Sequence, residues 1–174
     1  MNQVIPTKQD CYYILAMLES TLIDFCYTQP WADKLIGGME VSPSWLCDVA
    51  TKKSTEDQKK AFREYLSSEP FELCPTDYHK FLIGCLWLRY ERRELSWATY
   101  LQQVGQYLDS VGVTGWDCET PYSYLNQFEA NYFTKKSEER TKKLYLKDHD
   151  VFPYAKRATE KLKPLMKARL PKRS

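Results

Sequence analysis

Apolar residues recur at steps of three and four along nearly the whole chain. Cys11, Ile14, Leu15, Leu18, Leu22 and Phe25 repeat in this way, and Trp97, Tyr100, Leu101, Val104, Leu108 and Val111 do so again. That spacing gathers side chains on one face of a helix, whereas a half-buried strand alternates every second residue. No stretch alternates with period two for more than a few residues, and neither Asn-Gly nor Asp-Gly occurs to turn a hairpin. The pattern therefore predicts an all-α protein, a single irregular multi-helix domain. Its 174 residues suffice for one core.

Capping and breaking residues divide this pattern. Thr7 or Asp10 caps a first helix that runs through Phe25 to a stop at Pro30, and Trp31 to Ile36 forms a short helix ended by Gly37-Gly38. Ser42-Pro43 reads as an N-cap followed by proline at the first helical position. Ser54 with Asp57 opens a polar helix over 55–67, with Phe62, Tyr65 and Leu66 inward. Thr76-Asp77 opens the most apolar helix, which runs to Arg93. Ser96 and Gly112 bracket the next, and Thr120-Pro121 precedes a helix from Tyr122 to Phe133. Tyr154, Ala158, Leu162, Leu165 and Met166 give the last segment an apolar side, interrupted by Pro164.

Several function classes are excluded on composition. The chain carries 25 Phe, Trp and Tyr residues, far too many for a disordered chain. Its longest strongly apolar run, Phe81 to Leu88, falls well short of the roughly 20 residues that span a bilayer. The first residues show neither a basic nor an apolar leader region, so a cytoplasmic protein with no membrane association is expected. Six cysteines include no CxxC pair, and the two histidines have no second histidine at helical spacing; no metal and no cofactor are expected. The thiols read as buried groups of a reducing compartment. Cys74 with His79 is the one nucleophile-and-base pairing in reach, with the helix start at Thr76 favouring a thiolate. No oxyanion element, phosphate-cradling glycine loop or paired-carboxylate motif accompanies it, so the chain is not read as an enzyme.

Charge is unevenly placed. Residues 1–50 hold 2 basic and 6 acidic side chains, residues 51–134 hold 9 and 12, and residues 135–174 hold 14 and 5. This divides the chain into an acidic helical body over 1–134 and a basic helical segment over 135–174, docked on the same domain. From Gly105 to Thr134 there is no Lys or Arg at all, and carboxylates are interleaved with aromatics. Trp116-Asp117-Cys118-Glu119 lies between glycine and proline breaks, as a surface loop would. Rigid aromatic anchors beside unpaired carboxylates are what an interface for a basic protein needs. The candidate partner-binding residues are Asp109, Trp116, Asp117, Glu119, Tyr122 and Tyr124, with Asp24 and Asp33 as a second choice. The alternative is nucleic-acid binding through the basic segment, with Lys142, Lys143, Lys156 and Arg157 as its candidates.

The pattern Trp31-x-Asp33-x-x-Ile36, followed by Pro43-x-Trp45-Leu46-x-Asp48, resembles short helix pairs in bacterial immunity proteins of polymorphic toxin systems, including contact-dependent growth inhibition. The resemblance spans residues 25–110 and carries over no catalytic or binding residue. It implies a cofactor-free helical protein that neutralises one cognate toxin domain, often a nuclease with a basic cleft, by forming a tight complex.

Overall fold

A computed structural model describes residues 5–112 and 115–169. Among these residues there are nine helices and no strand: α1 (Lys8–Glu19), α2 (Phe25–Ile36), α3 (Ser44–Thr51), α4 (Thr55–Leu66), α5 (Tyr78–Glu91), α6 (Trp97–Val111), α7 (Glu119–Ala130), α8 (Lys135–Asp148) and α9 (Phe152–Arg169). The protein is all-α, as its periodicity predicts. Among the described residues no helix is long and apolar enough to cross a membrane.

α5 is the central element. Every residue from Phe81 to Leu88 is buried, so this helix has no solvent face along those two turns. α1, α6 and α9 pack around it. The approach of α9 is close because residue 84 is glycine: a Cβ there would stand 2.7 Å from the backbone of Tyr154 and Ala155. α9 buries Ala155, Ala158, Leu162 and Leu165 and reaches α1 and α2 as well as α5. Its basic side chains meet carboxylates of the body, Arg157 pairing with Asp77 and Lys161 with Asp10 at 2.6 Å. α8 is held to α6 by two buried polar contacts. Trp97 Nε1 donates to Thr141 Oγ1 at 2.9 Å, and the Tyr100 and Tyr145 hydroxyls share a bond of 2.9 Å.

The caps at Thr7, Ser54 and Ser96 occupy the expected positions, each accepting a backbone N–H two or three residues into its helix. Elsewhere the boundaries differ from the sequence reading. The stripe from Cys11 to Phe25 is two helices, because the chain turns at Thr21 (φ 55°) while Leu22 and Ile23 stay buried. Burial continues across the turn, so the apolar pattern does not register it. Pro30 does not stop a helix. It lies inside α2, where the one i−4 hydrogen bond it forfeits is offset by burial of Thr28, Trp31 and Ala32 around it. Pro164 likewise lies inside α9, between buried Leu162 and Leu165. Pro43 rather than Ser42 holds the N-cap position of α3, its carbonyl accepting from Leu46 and Cys47. The six cysteines are free; Cys11 and Cys85 are buried, whereas Cys74 is exposed.

Candidate partner-binding surface

Between α6 and α7 the chain makes a tight corner that begins at Gly112, whose φ of 73° is a left-handed conformation, and resumes at Gly115 with φ 78°. Asp117 then starts α7. Its Oδ1 accepts the Thr120 amide at 2.6 Å and its Oδ2 the Thr120 hydroxyl at 3.0 Å. Partial desolvation raises the Asp117 pKa, but these bonds outweigh it and hold the carboxyl below its ordinary range. This moves the start of α7 to Glu119, ahead of the expected Tyr122.

Trp116 is half-buried and fixed from three sides. Its ring stands edge-on to His149 at 4.8 Å and to Tyr154 at 5.9 Å, and Lys80 Nζ lies 5.3 Å from the ring centroid. His149 is itself buried and stacked on Tyr145 at 4.9 Å, which lowers its pKa by desolvation. The tryptophan thus pins the corner onto the α8–α9 junction. Asp109, Trp116, Asp117 and Glu119 line one shallow cleft of about 520 Å³, with Leu108 at its inner wall. Asp109, Asp117 and Glu119 are exposed, and none of the three takes part in an ion pair among the described residues. The Cys118 thiol points its weak donor at Asp109 Oδ1 from 4.0 Å.

The remaining predicted residues divide. Tyr122 lies across α6, its ring filling the space a side chain at Gly105 would need. Tyr124 belongs to the α7–α8 contact: its hydroxyl donates to Asp148 Oδ2 at 2.5 Å, and burial together with that bond pushes its pKa up to about 12. Asp24 and Asp33 are not brought to this corner. They sit on α2, which packs on α3 and α9, and Asp24 is the N-cap of that helix, accepting the Cys26 amide at 2.9 Å.

The four basic candidates also separate. Arg157 is committed to Asp77 and Tyr13, and Lys142 Nζ lies 5.6 Å over the Tyr90 ring, whereas Lys143 and Lys156 are exposed. The structure adds Lys147 to the basic residues of this segment and shows which of them share a face. Lys136, Arg140, Lys143 and Lys147, at steps of four, three and four on α8, are all exposed and form a stripe along one face. The spacing itself is the signal that reveals it.

Cys74 and His79 do line a common cleft, but desolvation together with nearby Asp77 and Glu19 raises the thiol pKa, so the helix start does not generate a thiolate there. Among the described residues no group of three or more His, Cys, Asp or Glu is placed to hold a metal ion. In comparisons with known proteins, no family model, no curated protein and no solved structure matches the chain.

Proposed function

We propose that the protein is an immunity-type inhibitor that binds a cognate toxin domain in the cytoplasm, acting as a binding partner without catalysis or cofactor. The observation that carries this reading is the α6–α7 corner, where Asp109, Asp117 and Glu119 surround a cleft whose aromatic wall, Trp116, is already immobilised by His149 and Tyr154. A surface ordered in advance loses little entropy on binding, and carboxylates with no ion pair among the described residues are available to steer and match a basic partner. A nuclease cleft, which must hold phosphates, has the complementary charge.

The test replaces Asp109 and Glu119 together with lysine and leaves the capping Asp117 in place. Wild type and variant are used to capture partners from native lysate at low and then high salt. One stoichiometric protein that survives high salt with the wild type, and is lost with the D109K/E119K variant, supports the reading. Equal capture by both proteins disposes of this corner as the interface.

The exposed stripe of Lys136, Arg140, Lys143 and Lys147 favours a second reading, in which α8 lies along a nucleic-acid backbone. That reading predicts that the captured species is nucleic acid and that it washes off steeply with salt.

A further inference from the structure

A second cleft, of about 580 Å³, opens between α1, α4, α5 and α6. Its size falls in the range of roughly 300–1,000 Å³ typical of small-molecule sites. Leu15 and Leu82, both buried, and Val111 give it an apolar lining. The Tyr12 and Tyr78 rings meet edge-to-face across 6.1 Å at its wall.

The polar groups here set two cations, Arg63 and Lys59, beside one carboxylate that is already hydrogen-bonded at both oxygens. Glu19 is the one carboxylate in the lining. Its Oε2 accepts the Tyr78 hydroxyl at 2.6 Å and its Oε1 accepts Arg63 Nη2 at 2.8 Å. Both oxygens are thus engaged by strong donors. Arg63 has five N–H donors, and one of them is engaged in that bond. His79 Nδ1 stands 2.7 Å from the Tyr107 hydroxyl, while Nε2 has no partner among the described residues. Desolvation raises the Tyr107 pKa and lowers that of His79, so the phenol keeps its proton and the imidazole is neutral. That bond leaves Nε2 as the ring nitrogen open to a ligand. Lys59, only 11% exposed, places a second cation in the lining while its ammonium bonds the outer Glu56 at 2.7 Å.

We propose that this cleft binds a small planar organic anion, in chemical class an aromatic carboxylate, with its carboxylate on Arg63 and its ring among Tyr12, Leu15, Leu82 and Val111. The spare donors of Arg63 call for a ligand that brings acceptors. A cation would face Arg63 and Lys59 and find Glu19 engaged. The site shares no lining residue with the Trp116 corner, so it stands whether or not that corner binds a toxin.

The experiment is a titration followed by ligand-observed NMR and calorimetry, with benzoate and naphthoate as probes and benzyl alcohol and benzylamine as their neutral and cationic counterparts. Both carboxylates are expected to bind saturably, and the alcohol and amine more weakly. Arg63→Gln, at a half-exposed position, should lower carboxylate affinity about tenfold or more, the loss expected for a charge-assisted hydrogen bond. Val111→Trp, which fills the cleft without touching the guanidinium, should abolish binding while the far-ultraviolet spectrum stays unchanged. Absence of saturable carboxylate binding overturns the proposal, as does benzylamine binding as well as benzoate or an R63Q variant with wild-type affinity.

Discussion

The Thr120 amide donates to Asp117 Oδ1 at 2.6 Å, so a carboxylate that faces solvent at the α6–α7 corner is also the device that starts α7. The two roles separate on substitution. Asp117→Ala removes the cap and should cost about 1 kcal/mol of stability, read as a lower urea midpoint at unchanged slope. The D109K/E119K pair leaves that bond in place, and its cost is that of a lysine in the first turn of α7, about 0.5 kcal/mol. An Asp117→Ala protein as stable as the wild type would show that α7 starts without this bond.

Gly84 and Gly105 both lie against a neighbour that a Cβ would strike at 2.7 Å, but the neighbours differ. At Gly84 the obstacle is the backbone of α9, which moves only as a helix. Gly84→Ala should therefore destabilise by about 2 kcal/mol or more through overpacking. At Gly105 the obstacle is the half-buried Tyr122 ring. Gly105→Ala should cost less and report mainly as a change in Tyr122 aromatic resonances. Thermal melts of the two variants, compared side by side, test the ordering.

Tyr100 and Tyr145 are fully buried, and each hydroxyl serves the other. Tyr100→Phe leaves the Tyr145 hydroxyl buried without a partner, at a cost of about 1–3 kcal/mol. Replacing both with phenylalanine removes the orphan and should recover most of the loss. A double-mutant cycle measures this directly; simple additivity of the two single losses would contradict it.

His149 makes stability depend on pH in a defined direction. Burial holds its pKa below the ordinary 6.5, opposed by Asp117 and Asp148 and aided by Lys80. His79 is shifted the same way by desolvation. The unfolded chain takes up protons near pH 6.5 that the folded chain refuses, so stability is full above that value and declines as pH falls through it toward the folded-state pKa. Urea midpoints should therefore drop between about pH 7.5 and 5.5, and His149→Phe should flatten part of that slope. A flat wild-type profile over the same range would refute the assignment.

Local signals carried much of the fold into the sequence. Thr7, Ser54, Ser96 and Gly112 mark helix ends because each acts on residues within one turn of itself. The signals failed where distant packing decides. Thr21 breaks a helix with apolar residues on both sides of the break, and Pro30 and Pro164 lose single hydrogen bonds that surrounding burial offsets. The site divides along the same line. Trp116 is legible as a corner residue from the glycine and proline breaks on either side, but the His149, Tyr154 and Lys80 side chains that fix it come from α5 and the α8–α9 region. The second cleft shows this more sharply, since Glu19, Arg63, His79 and Tyr107 stand on four helices and share no spacing that a linear reading detects.

The burial of α5 on every side has a consequence in time. α9, which covers it at Gly84, lies beyond residues 92–151 in chain order. At typical rates of synthesis those residues take roughly 3–12 s to be made. For that interval the apolar surface from Phe81 to Leu88 lacks one of its covering helices, and a nascent chain is at its most prone to self-association. Ribosome-stalled chains in which α9 has not left the exit tunnel should be cleaved by protease within α5, and chains stalled on an added linker that brings α9 clear of the tunnel should resist. Maturation of this fold is therefore timed by the emergence of α9 rather than by the helix at its centre.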